Sequence, residues 1–147
     1  MDKGKQKKTQ VQVADEGREN KVEATGAARE QKTGKGRYDL VSPEAERRVA
    51  LHYEAGALRY GDRNWEKGLP LSGFIDCAKR HLQKHAAGDR TEDHLAAVLW
   101  NVGAYMQTER WILEGKLPNE LYDVPWAPSS PDGGGGPPWP EWILERF

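Results

Sequence analysis

The sequence predicts an all-α protein, a small helical bundle flanked by two unpacked tails, and three observations predict it. Three segments between Ser42 and Gly115 repeat apolar residues at steps of three and four, which is the period of an amphipathic helix. No segment shows a convincing alternation of apolar and polar residues, which is the pattern of a half-buried strand. The ends of the chain are rich in charged residues or in glycine and proline, which favours tails rather than further elements.

Composition divides the 147 residues into three parts. Residues 1–36 form a basic tail with no aromatic residue, and it buries too little apolar surface to offset the entropy of ordering, so we expect it to be disordered. Residues 37–116 form the all-α domain. Residues 117–147 form a Pro/Gly-rich linker and an aromatic C-terminal segment. We expect the aromatic segment to dock on the domain, on a sister subunit or on another protein.

Charge and cysteine usage limit the partners and the compartment. The net charge of −1 gives the whole molecule no strong attraction to nucleic acid or to an anionic membrane. Weak contact between nucleic acid and the basic N-terminal tail stays open, although such runs are usually solvated. No apolar run approaches the ~20 residues of a membrane span. The charged N-terminus lacks a signal-peptide core, and Cys77 has no partner for an intrachain disulfide, so a cytoplasmic protein is predicted.

The first helix is predicted to begin after Ser42 and to end near Tyr60–Gly61. Ser42 is a suitable cap, Pro43 suits the first helical position, and acids follow in the first turn. The residues expected to form its buried face recur at three- and four-residue steps; they are Val49, Tyr53, Ala57 and Tyr60.

Two further helices follow a connector rich in Gly, Pro, Asp and Asn. The second is predicted to have Ser72 as its cap and to end at Gly88. Its apolar face is expected to contain Phe74, Cys77, Ala78 and His81. The third is predicted to have Thr91 as its cap, with Glu92 and Asp93 in its first turn. Its core stripe is expected to contain Leu95, Val98, Leu99, Val102, Tyr105, Met106 and Ile112.

The stretch RHLQKHAAGDRTEDHLAAVLWN concentrates polar side chains that could bind a metal. His81 and His85 lie one helical turn apart, a spacing that suits a metal pair and equally a surface pair. Glu92 and Asp93 could be ligands, or acids that only satisfy the helix dipole. With Asn101 these residues make a mixed nitrogen and oxygen set that would suit Mg²⁺ or Mn²⁺ better than a closed zinc site.

The connector YGDRNWEKG holds residue types that recognise nucleotides. The guanidinium of Arg63 has the fork geometry that phosphate prefers, Tyr60 and Trp65 can stack on a base, and Asn64 can read a base edge. The alternative is a turn in which Trp65 packs into the core and Arg63 is solvated.

Four motifs in order, RYDL, HYEAGALRYGDRNWEKG, RHLQKH and EDHLAAVLWN, resemble the dATP/dGTP diphosphohydrolase family that is common in bacteriophages. The resemblance covers about residues 36–112. The family is similar to MazG-like all-α nucleoside triphosphate pyrophosphohydrolases. The resemblance implies a small MazG-like bundle, usually a homo-oligomer, that uses Mg²⁺ or Mn²⁺. It implies cleavage of purine deoxynucleoside triphosphates to monophosphate and pyrophosphate. This reaction would belong to nucleotide metabolism, and it would take place in the host cytoplasm if the protein is phage-encoded.

The resemblance also suggests a set of site residues. The expected catalytic residues are Glu54, His81 and Asp93. The expected metal ligands are Glu54, His81, Glu92 and Asp93. The expected substrate-binding residues are Tyr60, Arg63, Asn64, Trp65, Lys67, Arg80 and Asn101. The pattern of acidic residues departs from that of MazG-like enzymes, which carry metal-binding ExxE and ExxD pairs, because histidines stand here where acids are expected. One explanation is a remodelled metal shell, and the other is a shifted alignment of the helices.

Two other classes compete with this reading. A non-enzymatic helical adaptor would bind nucleic acid or a protein partner through the two tails, but it leaves the polar residues at 80–101 without a purpose. An HD-type phosphohydrolase requires an adjacent His–Asp pair, whereas the order here is Asp93–His94.

Overall fold

The computed structural model describes residues 20–30 and 35–125, which fall into two units that divide between Val41 and Ser42. In the first unit, strands β1 (Asn20–Val22) and β2 (Ala28–Glu30) form an antiparallel hairpin, and a 3-10 helix spans Tyr38–Leu40. In the second unit, three α-helices follow one another. The prediction of an all-α bundle is confirmed for that unit.

The hairpin lies inside the segment that the sequence predicts to be a disordered tail. Its strands have three residues each, which is too short to show the alternation of a strand in the sequence. Gly26 closes the turn with a φ of +85°, a conformation that glycine adopts without steric cost. Residues 1–19 and 31–34 of the same tail lie outside the described residues, and the domain boundaries stay predictions.

Helix α1 (Pro43–Tyr60) has the start and the end that the sequence predicts. The backbone N–H of Ala45 donates to the Ser42 hydroxyl oxygen at 3.3 Å, and Pro43 occupies the first position. At the other end, Gly61 has a φ of +91° and its N–H donates to the carbonyl of Ala57. Both signals act locally, so the sequence suffices to place them.

Helix α2 (Leu71–Ala86) begins one residue before the predicted cap. Ser72 lies in the first turn, and its N–H and hydroxyl donate to the Asp123 carboxylate at 2.8 and 2.5 Å. A carboxylate that is distant in sequence therefore satisfies this helix start, and the predicted cap is wrong. The predicted end is confirmed: Gly88, with a φ of +87°, donates its N–H to the carbonyl of His85.

Helix α3 (His94–Leu113) also begins later than predicted. Asp93, not Thr91, is its cap, because the Asp93 carboxylate accepts the N–H of Ala96 at 3.0 Å. Thr91 instead donates its N–H and its hydroxyl to the carboxylate of Asp89. Glu92 consequently lies in the loop before the helix rather than in its first turn.

The core lies between α2 and α3 and is closed by the chain that follows α3. Its fully buried apolar residues are Leu71, Phe74, Ala104, Ile112 and Val124. The predicted apolar face of α2 is confirmed, since Phe74 is buried and its three companions Cys77, Ala78 and His81 are half-buried.

The predicted core stripe of α3 is confirmed for the buried Ile112, but it is wrong for Leu99, Val102 and Met106. Leu99, Val102 and Met106 are 45%, 44% and 63% exposed. The buried face instead contains small or polar residues, namely Ala96, Ala97, Asn101, Ala104 and Thr108. Small side chains let helices approach closely, and the bulky residues then remain on the opposite side.

The predicted buried face of α1 is only partly realised. Val49 and Ala57 are half-buried, whereas Tyr53 and Tyr60 are exposed, and no residue of this helix is fully buried. The reason is that α1 packs mainly on α3 and borders a cleft.

Two further predictions concern the ends and the membrane. The linker beyond Pro125 and the aromatic segment ending at Phe147 lie outside the described residues. Within the described ranges, no helix has both the length and the hydropathy that crossing a membrane requires.

Candidate functional site

A cleft of about 780 Å³ opens between α1, the connector that follows it, and one residue of α3. This volume lies in the range of ligand pockets, about 300–1,000 Å³. The lining comes mostly from the second half of α1 and from the connector; its residues are His52, Tyr53, Glu54, Gly56, Ala57, Tyr60, Gly61, Asp62, Arg63, Asn64, Trp65, Glu66, Leu69 and Trp100.

Aromatic rings form one wall of the cleft. Trp100 of α3 is at the centre of these rings, with centroid distances of 6.0 Å to Tyr53 and 6.5 Å to Trp65. Trp65 also stacks on Trp111 at 5.6 Å and 20°. Trp65 therefore lines the cleft and packs against the core at once, which combines the two alternatives that its sequence context left open.

The connector folds tightly over Asn64–Lys67 as a 3-10 helix, and Arg63 precedes it in a left-handed conformation with a φ of +56°. Non-glycine residues rarely adopt this conformation, and such strain clusters at functional sites. The Arg63 guanidinium donates to the Glu66 carboxylate at 2.8 Å, and its side chain is 80% exposed. Tyr60, also mostly exposed, lies 5.1 Å below the guanidinium carbon of Arg59.

The cleft brings together five of the residues that the sequence analysis selects: Glu54, Tyr60, Arg63, Asn64 and Trp65. It does not bring in the other three substrate candidates. Lys67 donates to the side-chain oxygen of Asn64 at 3.2 Å, and Arg80 donates to Asp76 and to the Cys77 sulfur. Asn101 is buried, and its amide donates to the carbonyl of Ala97 at 2.8 Å. The substrate roles of these three residues stay predictions.

A second cluster lies where the α2–α3 loop meets both helices, and its members are His81, Glu92 and His94. The Nδ1 atoms of the two histidines are 3.0 Å apart. The Glu92 Oε1 atom lies 3.6 Å from His81 Nδ1 and 3.4 Å from His94 Nδ1. This is the group among the described residues whose His, Cys, Asp or Glu atoms lie close enough to share a metal ion.

Burial favours the neutral form of the His81 imidazole, and hydrogen bonds favour the ionised form of the nearby Asp89 carboxylate. Burial is the main cause that lowers the pKa of His81 below 6.5. His94 is 1% exposed, and its Nε2 atom faces the Asp89 Oδ2 atom at 3.3 Å without a well-aligned hydrogen bond. The N–H and hydroxyl of Thr91 are the main causes that lower the pKa of Asp89 to about 2. Two imidazole nitrogens with one carboxylate oxygen are a donor set that fits a divalent metal ion.

Asp93 lies beside this cluster but has other partners. Its carboxylate accepts two hydrogen bonds from Arg48 of α1, at 2.7 and 2.5 Å, in addition to capping α3. The Arg48 guanidinium is the main cause that lowers the pKa of Asp93 to about 2, and the charge of His52 contributes to the shift. His52 lines the cleft, so Asp93 connects the start of α3 electrostatically to the cleft wall.

The predicted metal ligands are thus divided between two places. His81 and Glu92 belong to the cluster, while Glu54 lines the cleft and Asp93 binds Arg48. The residue that the prediction omits is His94. A histidine that directly follows two acids and begins an apolar helix face was the available signal, but its burial depends on how the preceding loop folds.

The structure therefore shows a helical domain with a pocket of small-molecule size and, elsewhere on the domain, a His/Glu cluster. A family model described as dATP/dGTP diphosphohydrolase, N-terminal, matches residues 25–112, and the chain belongs to this family. The family name indicates a hydrolase, in agreement with the resemblance carried by the sequence motifs. A search of curated proteins returned no match. A search of solved structures returned none either.

Proposed function

We propose that this protein hydrolyses the purine deoxynucleoside triphosphates dATP and dGTP to monophosphate and pyrophosphate, with Mg²⁺ or Mn²⁺ as cofactor. The observation that carries the proposal is the aromatic cleft, which lies with the His/Glu cluster inside the span that the family model matches. Exposed faces of aromatic rings next to basic and amide side chains suit a base joined to phosphates.

The purine base would occupy the aromatic part of the cleft. Tyr60 has its ring mostly exposed at the cleft wall, and Trp65 is fixed by its stacking on Trp111. A ring held in this way can stack on a base with little loss of side-chain entropy. Asn64, on the same connector, would contact the base or the sugar.

The triphosphate would be bound by basic residues of the connector. The Arg63 guanidinium is mostly exposed and pairs with Glu66 in an exposed ion pair, so it can turn to phosphate oxygens at little cost. Lys67 lies one turn further on and would add a second positive charge. Arg80 remains a proposed third contact from α2.

A divalent ion would be held by His81, Glu92 and His94, the residues whose donor atoms fit one. When bound, such an ion supplies positive charge beside the phosphates and lowers the pKa of the attacking water. Glu54, an exposed acid in the cleft wall, would accept the proton of that water. Asp93, through Arg48 and the start of α3, would hold the adjacent Glu92 and His94 in place.

The proposal includes self-association into a homo-oligomer. It also includes a cytoplasmic role in nucleotide metabolism, which for a phage-encoded protein takes place in the cytoplasm of the host. Self-association is supported by the exposed apolar residues on one side of α3, Leu99, Val102 and Met106. Exposed patches of this kind often mark interfaces. Sedimentation analysis should give an oligomer for the wild type and a smaller species for Met106→Glu.

The test is a substrate panel with the purified full-length protein. Each of the eight common nucleoside and deoxynucleoside triphosphates is incubated with Mg²⁺ and with Mn²⁺, and the products are resolved by chromatography. We expect monophosphate from dATP and dGTP. Glu54→Gln should lower kcat by about 100-fold or more, while Glu46→Gln, an exposed acid in the first turn of the same helix, should not.

Other products would change the conclusion in distinct ways. Diphosphate and phosphate would keep a hydrolase but contradict the proposed bond cleavage. No turnover with any nucleotide and either metal would favour the adaptor alternative, in which the two tails bind nucleic acid or a protein partner. Deletion of residues 1–36 and 128–147 separates these classes, because an enzyme should retain its turnover.

A further inference from the structure

The spacing of the three donor atoms in the His/Glu cluster matches the edges of a metal coordination shell. A metal about 2.0–2.2 Å from each ligand atom places neighbouring ligands about 3.0–3.6 Å apart in octahedral or tetrahedral geometry. The three separations among His81 Nδ1, His94 Nδ1 and Glu92 Oε1 are 3.0, 3.4 and 3.6 Å.

Asp89 favours the tautomer of His94 that leaves a lone pair directed at this triangle. Its carboxylate lies 3.3 Å from Nε2, and a carboxylate there favours a proton on Nε2. The lone pair is then on Nδ1, directed toward His81 and Glu92. A carboxylate behind the distal nitrogen is the usual arrangement around a metal-bound histidine.

The loop between α2 and α3 holds Asp89 in position. The carbonyl of Lys84 accepts the N–H of Asp89, which fixes this residue just after the end of α2. Asp89 also accepts the N–H and the hydroxyl of Thr91 at 2.8 and 2.7 Å. The carboxylate is therefore fixed independently of an ion, and it remains close to the buried ring of His94.

We propose that His81, Glu92 and His94 form a three-ligand site that prefers a transition-metal dication such as Mn²⁺ over Mg²⁺, and that Asp89 is a positioning residue for His94. Two imidazole nitrogens suit transition ions, whereas Mg²⁺ takes oxygen ligands and retains its waters. The catalytic use of this ion rests on the proposed function, but the binding itself does not.

The alternative is a direct hydrogen bond between the two histidines, which the 3.0 Å separation of their Nδ1 atoms also allows. The two readings differ in what an added ion does. A histidine pair that only bonds to itself binds no ion, and a metal site replaces the N–H···N contact with two nitrogen ligands.

Titration of the full-length protein with Mn²⁺, followed by electron paramagnetic resonance and without nucleotide, tests the proposal. We expect one Mn²⁺ per chain, retained in a 100-fold excess of Mg²⁺, and echo modulation from directly bound ¹⁴N. Asp89→Asn should weaken Mn²⁺ binding by about 10–100-fold with the nitrogen coupling retained. Glu92→Gln should weaken it more, and His81→Gln should reduce the nitrogen coupling.

His85→Gln is the matched control, because His85 lies one turn from His81 on the same helix and outside the cluster. Its Mn²⁺ affinity should equal that of the wild type. Equal affinities in all variants, displacement by equimolar Mg²⁺, or no nitrogen coupling would each overturn the proposal. Mn²⁺ binding without hydrolysis of any nucleotide would support the metal site and refute the proposed function. Hydrolysis without Mn²⁺ binding at this cluster would support the proposed function and refute the metal site.

Discussion

Arg63 offers a test in which backbone strain and phosphate binding give separate readouts. Its φ of +56° is a left-handed conformation that costs a residue with a Cβ about 1–2 kcal/mol. Arg63→Gly removes this strain but adds about 0.5–1 kcal/mol of backbone entropy to be lost on folding. The free energy of unfolding should therefore rise by up to about 1.5 kcal/mol. Arg63→Ala keeps the strain and should give no gain.

The same two variants should lose substrate binding equally, since both remove the guanidinium. A hydrogen bond to a charged group contributes about 1.5–3 kcal/mol, which corresponds to about a 10- to 150-fold rise in KM. Urea unfolding measures the stability, and steady-state kinetics on dATP and dGTP measure KM. Equal stability of the two variants would refute the strain argument, and an unchanged KM would remove Arg63 from the phosphate site.

Three further predictions concern stability. Tyr122→Phe should lower the free energy of unfolding by about 1–3 kcal/mol, measured with urea, because the buried Glu109 carboxylate loses a donor at 2.7 Å. Gly68→Ala should destabilise the fold, since the φ of Gly68 is +99° and an added Cβ would lie 2.7 Å from a leucine carbon. Gly103→Ala, at a helix position with open space around it, should stabilise the fold by up to about 1 kcal/mol. Melting curves that rank the two variants in the opposite order would contradict this prediction. The pKa of Asp93 is lowered from 3.8 to about 2, so this carboxylate stabilises the fold above pH 3.8 and loses this contribution as the pH falls toward 2. Asp93→Asn should abolish that part of the pH dependence of acid unfolding. An acid unfolding profile identical to that of the wild type would contradict this prediction.

Local signals were sufficient for α1, and they failed where distant partners decide. Ser42, Pro43 and Gly61 act on neighbouring backbone groups, so both ends of α1 follow from the sequence. The start of α2 depends on Asp123, which lies 51 residues after Ser72. No local pattern contains that contact.

The faces of α3 could not be chosen from periodicity alone. The helix is apolar around most of its circumference, so more than one stripe fits a period of 3.6 residues. Leu99 and Met106 form a more hydrophobic stripe than Ala97 and Ala104 do. The packing with α2 favours the small residues because they allow close approach, and this depends on three-dimensional fit.

The lining of the cleft was predictable where one short segment supplies it. Tyr60, Arg63, Asn64 and Trp65 lie close together along the chain, and their residue types alone point to nucleotide chemistry. His94 was missed because its role depends on a loop that turns back over α2. The sequence shows its neighbours but not the 3.0 Å approach to His81.

Phosphorus NMR of the reaction with dATP, and separately with dGTP, tests the central claim most directly. The account predicts that the three triphosphate resonances decay together while one monophosphate and one pyrophosphate resonance grow in equal molar amounts. Appearance of a diphosphate nucleotide with inorganic phosphate, or of free triphosphate, would contradict it.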